Sequence, residues 1–295
     1  MSALSIVEQT LRISVPYLFA AAGGVIAERS GVVSLTLEGF MLVGGFTAVV
    51  GSFYSGSPWV GILFGIVGGL VFGLIHAVLS LRFRANQIVV GIALNLLAVG
   101  ATRLFLKLLF DSSSNSARVR GFGSEGAGAL AMFQNPLLWL GLAVIPAVAF
   151  WIAKTPFGLR LRAVGEHPMA AESLGIRVTY VRAVAVGLSG VLAGLGGAYL
   201  ALDQHQFTDE MTGGRGFIAL AAIITGSWRP LRAGLACVLF AAAETLQIQL
   251  QTLQILPSQL LSTIPYVVTL VVLVGWVGRS TPPAALGRPF GESGT

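Results

Sequence analysis

The chain reads as an all-α, polytopic membrane protein with about eight to ten crossing or partly re-entrant helices. Three observations predict that class. The 295 residues are 55% hydrophobic and only 10% charged, and the mean hydropathy is +0.84. A soluble domain of this length needs far more charge to cover its surface. Apolar runs recur near the roughly 20-residue length that a helix needs to cross hydrocarbon. Between them lies one polar, basic break, Thr155–Arg182, reading TPFGLRLRAVGEHPMAAESLGIRVTYVR. In hydrocarbon its Arg and Glu side chains would each lose hydration worth several kcal/mol, on the order of 3 or more. The break, with Arg182 at its end, is therefore expected at the membrane surface. Its excess of basic residues, Lys154 included, places it on the cytoplasmic face.

The elements follow in order. Leu11–Ala27 is a first span and not a signal peptide, because Glu8 stands where a basic n-region would lie and no small-residue cleavage site follows. Val33–Phe53 is drawn as a span, with room for a break at Ser34, Thr36, Glu38 and Gly39, Gly44, Gly45. Trp59–Leu81, Ile88–Phe110, Leu137–Ala153 and Val181–Leu202 are continuous apolar runs of spanning length. Phe217–Ser227 is too short to cross alone and reads as a half-helix or as part of a longer element. Ala233–Leu250 and Leu260–Val277 complete the set.

Alternation from a cytoplasmic break puts Arg82, Arg84, Arg229, Arg232, Arg279 and Arg288 inside. The loops Asp111–Gln134 and Asp203–Gly214 fall outside, although the first still carries Arg118 and Arg120. The N-terminus then lies outside unless an early segment is re-entrant. Gly61, Gly65, Gly69 and Gly73 form a smooth ridge on one helix, and Gly187, Gly190, Gly194 and Gly197 form another. Such ridges let backbones approach closely where lipid gives no hydrophobic drive; tight packing is the preferred reading and a sliding seam the other.

Several chemistries are excluded. The net charge of +6 follows loop Lys/Arg and lacks the aromatic-interleaved pattern of a nucleic-acid binder. Cys237 stands alone in an apolar run, so neither a disulfide framework nor a thiolate metal site arises. His167 and His205 fall on opposite faces, and His76 reads as a packed or interhelical hydrogen-bonding residue. No GxSxG, HExxH or P-loop occurs; Lys107 and Lys154 do not sit in a GK[ST] ending. Any use of ATP belongs to another polypeptide.

Polar residues at membrane depth are the candidate pathway: Glu38, Asn86, Gln87, Asn95 and Glu244. Glu38 reads either as a helix cap, since a carboxylate is favoured near helix N-terminal amides, or as a pathway residue. The amides suit interhelical hydrogen bonds or a neutral polar solute. Glu244 opens a Gln-rich stretch with Gln247 and Gln249 that also reads as solvated helix-end polarity.

Four stretches, taken together and in this order, resemble the membrane-spanning permease subunits of ABC importers for branched-chain amino acids, simple sugars and nucleosides. They are GVVSLTLEGFMLVGGFTA, ANQIVVGIALNLLAVG, GLRLRAVGEHPMAAESLGIRV and GRGFIALAAIITGSWRPLRAG, and the second is most similar to the nucleoside branch. Ser34 and Thr36 depart from the Asn and Gly usual there, and Arg229 and Arg232 make the hairpin around Pro230 more charged than is common. The resemblance implies one permease domain over 1–295, with a cytoplasmic coupling loop at 155–180. Pro168–Leu174 would be the coupling helix and Gly175 its end, the N-terminal Pro and C-terminal Gly of a short helix. Glu166, Pro168, Met169, Ala171, Glu172, Ser173, Leu174 and Gly175 would meet a separate ATP-binding cassette subunit. That partner would bind ATP and Mg, and this chain would bind no cofactor and catalyse nothing. A second permease subunit, expected to be a paralogue, an external solute-binding protein on the outer loops and a bacterial inner membrane complete the implied setting. The cargo is expected to be a nucleoside, with branched-chain amino acids or simple sugars on the same machinery as the alternative. An ion-coupled secondary transporter using Glu38 and Glu244 is a further reading, without an evident internal repeat.

Overall fold

Helix α1 (Ala3–Arg29) packs along several of the later helices and supplies much of the main core. In this computed structural model residues 3–122, 135–252, 258–261, 263–276 and 281–291 are described. After α1 come α2 (Leu37–Ser55), α3 (Pro58–Ala77) with a π turn over Val78–Arg82, α4 (Gln87–Phe110) and α5 (Pro136–Lys154). Two short helices, α6 (Pro156–Glu166) and α7 (Pro168–Ser173), form an elbow. Then follow α8 (Val178–Asp203), α9 (Arg215–Thr225), α10 (Pro230–Thr252), α11 (Ser258–Leu261) and α12 (Ile264–Trp276). Seven helices among the described residues are long and apolar enough to cross a membrane: α1, α2, α3 with its π turn, α4, α5, α8 and α10. The expected helical membrane fold is thus observed.

The two glycine ridges meet each other. A Cβ on Gly69 would overlap the Gly190 carbonyl oxygen, and Gly65 and Gly73 face Gly194 and Gly190 in turn. Backbone cannot yield as a side chain can, so the α3–α8 seam accepts only glycine at its tightest points. Gly44 and Gly45 of α2 pack similarly on Gly194 and Gly197. That explains why these glycines do not break α2, which runs unbroken from Leu37. The span drawn from Val33 begins four residues later because residues 30–36 form a non-helical link.

The ends sort as alternation predicts. Arg29 at the end of α1 lies 3.6 Å from Glu166 at the elbow, and Arg84, after α3, lies beside Gly291. At the opposite end Ser52 donates to the Arg120 carbonyl (2.9 Å), Asn115 bridges Thr208 and Arg12 pairs with Asp203 (2.7 Å). Residues 123–134 of the predicted outer loop, and Ser262 and Val277 of the last drawn span, lie outside the described residues.

One expectation is corrected. Arg182 is not part of the surface break; it sits in the first turns of α8 with 0% of its surface exposed. Its Nε donates to the Ser30 carbonyl (3.1 Å) and its Nη1 to that of Arg288 (3.0 Å). Backbone carbonyls stand in for water, which a hydropathy argument cannot foresee.

Candidate functional site

Helix α9 has 11 residues, so it is about 16 Å long and reaches only halfway through a bilayer core of roughly 30 Å. A helix starting inside the bundle leaves its first N–H groups without partners. Glu38, in the first turn of α2, supplies them. Its Oε1 accepts from Thr212 Oγ1 (2.6 Å) and Gly214 N (2.8 Å), and its Oε2 from Gly216 N (2.7 Å). Gly214 is the N-cap, at φ +83°, a conformation that suits glycine. The carboxylate also faces the positive end of the α9 dipole. Glu38 is therefore a cap, but of a different helix from its own.

Beside it, Arg215 Nη2 donates to Glu244 Oε1 at 2.6 Å, and the Tyr17 hydroxyl donates to Glu244 Oε2. Arg215 Nη1 is also held by the carbonyls of Met211 and Thr212. This pair joins α9 to α10 and, through Tyr17, to α1. Asn95 of α4 completes the polar set: its Oδ1 accepts from Gly39 N and its Nδ2 donates to the Leu35 carbonyl, both at 2.9 Å.

Glu38, Asn95 and Thr212 border a half-open cleft of about 350 Å³. The α4 residues Ile92, Asn95, Leu96 and Val99 share one helix face there, following the 3.6-residue period. Phe217 of α9 forms an opposing apolar wall, and Glu210 stands at the rim. Arg103, one turn beyond Val99, ties Asp209 (2.6 Å) and Glu210 (3.1 Å) to α4. An apolar cleft with a few fixed polar groups suits a small neutral solute carrying hydrogen-bond donors.

The structure brings together Glu38 and Asn95 at the cleft and sets the other candidates elsewhere. Asn86 caps α4 through Ile88 N and Val89 N. Gln87 is buried and accepts from Val33 N at 2.8 Å. Glu244 belongs to the Arg215 pair. His76 is buried and bonds Thr36 Oγ1 at 2.5 Å, as an interhelical residue should. Among the described residues no group of His, Cys, Asp and Glu is arranged to hold a metal ion. Sequence reasoning missed Arg215, Thr212 and Tyr17, and also buried Glu28, which accepts from Trp228 Nε1 and Ser34 N. The only sequence signal for Arg215 was its place, beside two glycines, at the start of a run too short to span.

The elbow is the second site. Thr155 caps α6 by accepting from Gly158 N (3.1 Å), with Pro156 at the first helical position. Helix α7 ends in paired hydrogen bonds, Ile176 N to Ala171 O (3.1 Å) and Gly175 N to Glu172 O (2.8 Å). Gly175 adopts φ +80°. This is the Schellman stop, which needs a left-handed residue at that place. Ala171 faces inward and is buried, while Met169, Glu172, Ser173 and Leu174 are exposed. With Leu159 of α6, Met169 and Leu174 put large apolar side chains on a surface that lies beyond the spans.

Seven span-length helices, a half-helix capped inside the bundle, a cleft at its mouth and an exposed elbow at one end define a helical membrane transport protein. The chain matches the family described as "Branched-chain amino acid transport system / permease component" over residues 6–274, and it belongs to that family. It is 38% identical to the guanosine ABC transporter permease protein NupQ of Bacillus subtilis, covering 97% of this chain and 96% of the relative. It is also 38% identical to the nucleoside ABC transporter permease protein NupC of Lactococcus lactis, covering 98% and 97%. The fold is similar to a solved inward-facing ABC transporter described as of the metal-chelate type. That match has a TM-score of 0.52 and 16% identity, and covers 90% of this chain and 84% of the other.

Proposed function

We propose that this chain is the membrane permease of an ATP-driven importer whose cargo is a nucleoside. The observation that carries the reading is the 38% identity, over nearly the whole chain, to permeases named for guanosine and for nucleosides. The cleft is compatible with it: apolar walls suit a base, and the acceptor oxygens of Glu38 and Asn95 in its lining suit donors on a neutral solute.

A separate ATP-binding subunit, holding ATP and Mg, docks on the elbow through Met169, Glu172, Ser173 and Leu174, with Gly175 fixing their presentation; Ala171, expected among these contacts, is buried and seats the helix on the bundle instead. Glu166 takes part from the end of α6, and Pro168 starts the docking helix. The elbow then faces the cytoplasm of a bacterial cell and the opposite end faces outward, where an external solute-binding protein delivers cargo. A second, paralogous permease subunit closes the pathway. ATP-driven movement of the elbow switches the bundle between outward and inward access, a population shift between two packed states.

The test is uptake of labelled nucleosides, amino acids and sugars by the complex assembled with its ATP-binding subunit and receptor. ATP-dependent uptake of a purine or pyrimidine nucleoside alone is expected. Uptake of a sugar or branched-chain amino acid in its place refutes the cargo, and uptake driven by an ion gradient without ATP refutes the class.

A further inference from the structure

Beside its local bonds to the end of α1, such as Val32 N to the Ala27 carbonyl, the link between α1 and α2 makes polar contacts with several separate parts of the fold. Ser30 O receives Arg182 of α8. Gly31 O receives Gly287 N at 3.1 Å. Val33 N donates to Gln87 at the start of α4. Ser34 N is held by Glu28 of α1, Leu35 O by Asn95 and Thr36 by His76 of α3. The link is thus tied to α3, α4, α8 and residues 281–291, and its far end leads into Glu38 and Gly39, which line the cleft.

Residues 281–291 connect the other end of this link to the elbow. Ala284 N donates to Glu166 Oε2 (3.3 Å). Ala285 N donates to the Gly165 carbonyl (2.9 Å), in the last turn of α6 and three residues before α7. Two residues on, Gly287 reaches the link, and Arg288 O receives Arg182. Leu286 and Phe290 pack on the main core. The contact is close: a Cβ at Gly31, which sits at φ +94°, would meet Arg182 Nη2 at 2.8 Å and Ala285 O at 3.1 Å. Arg182 is thus a buried bolt through the strap on one side and the link on the other.

We infer that residues 281–291 are a strap that carries movement of the elbow into the 30–36 link, and so, through the Leu35 carbonyl, to Asn95 and Glu38 at the cleft. Arg182 is its positioning residue. A tie made of direct hydrogen bonds and a glycine-tight contact transmits displacement, whereas a loose tail would absorb it. The Arg29–Glu166 pair, at 3.6 Å and partly exposed, is a weaker second tie between the same elements. The inference rests on the proposed coupling of the elbow to an ATP-binding subunit.

The experiment compares the unaltered complex with a chain ending at Ser280 and with Arg182→Lys, which keeps the charge but cannot reach both carbonyls with a planar fork. Retention of the ATP-binding subunit, basal ATP hydrolysis and cargo moved per ATP are measured together. Both variants are expected to retain the subunit and hydrolyse ATP, while cargo moved per ATP falls about tenfold and the receptor concentration for half-maximal uptake stays put. Unchanged cargo per ATP in either variant overturns the strap. So does a fall in uptake that merely tracks loss of assembled complex in Arg182→Lys, since a brace alone predicts that. If the shortened chain does not accumulate, Arg182→Lys decides by itself. Failure of the unaltered chain to bind an ATP-binding subunit sinks the functional reading instead, and is seen before any variant is made.

Discussion

Replacement of Gly175 separates the role of the elbow's shape from that of its mere presence. Gly175 sits at φ +80° with no atom within 4 Å of where a Cβ would be built. A larger residue there meets no neighbour, so its cost is backbone strain alone. For a β-branched residue in the left-handed region that cost is roughly 1–2 kcal/mol. Because α7 has only six residues and is closed by this one stop, it relieves the strain by opening locally while the bundle stays folded. A penalty of about 1.4 kcal/mol shifts the population of the closed helix tenfold. Gly175→Val is therefore expected to cut cargo uptake by roughly 5- to 30-fold while membrane insertion and thermal unfolding in detergent stay unchanged. Gly175→Asn, which tolerates the left-handed region, should keep most of the activity. Uptake in proteoliposomes of the assembled complex, normalised to inserted protein, reads both. The reasoning is refuted if Val and Asn behave alike, since then side-chain size or chemistry at the docked surface decides and not the helix stop.

Other perturbations address the interior. Glu38→Ala strands the Gly214 and Gly216 amides and should destabilise the protein by about 2–6 kcal/mol, seen as a lower melting temperature, with Glu38→Gln intermediate. Equal melting of all three chains would rule out Glu38 as the cap of α9. Arg215→Met leaves the partly buried Glu244 without its cation and should cost about 1–3 kcal/mol, while adding Glu244→Leu should restore much of it. A double variant no better than the single one contradicts a stabilising pair. Gly69→Leu should abolish accumulation of folded protein in the membrane, because the opposing atoms belong to the Gly190 backbone; normal expression would show that the α3–α8 seam is loose.

Much of this architecture was legible in the chain because its signals are local. Most span lengths, the Pro168-to-Gly175 frame of α7 and the two glycine ridges depend on residues a few positions apart, and the structure places these close to where expected; the last drawn span, Leu260–Val277, is instead the short α11 followed by a 13-residue α12, too short to cross alone. Glu38 was singled out for the right reason, a carboxylate among helix N-terminal amides, but the sequence could not say that the amides lie 176 and 178 residues away. Separation along the chain likewise hid Arg215 from Glu244, 29 residues on, Glu244 from Tyr17, and Glu28 from Trp228. Arg182 was misplaced on the surface because hydropathy treats each charge as if only water could satisfy it. The carbonyls of Ser30 and Arg288, 152 and 106 residues distant, do so here.

These buried polar contacts follow from one structural decision. A protein whose helices all crossed the bilayer would satisfy its backbone internally and need few charges at depth. This chain instead stops two elements inside: α9 begins there, and the 30–36 link delays the start of α2. Each interruption exposes amides and carbonyls that hydrocarbon cannot solvate. Glu38 and Asn95 answer those needs first, since nearly all of their bonds go to backbone. On the proposed reading, a solute in the cleft would meet groups already fixed in place by the protein, without a cost of reorganisation. It also follows that the cleft cannot change shape by rotating one of these side chains. It must change when α2, α4 and α9 move relative to one another, and the 30–36 link is where such movement is gathered.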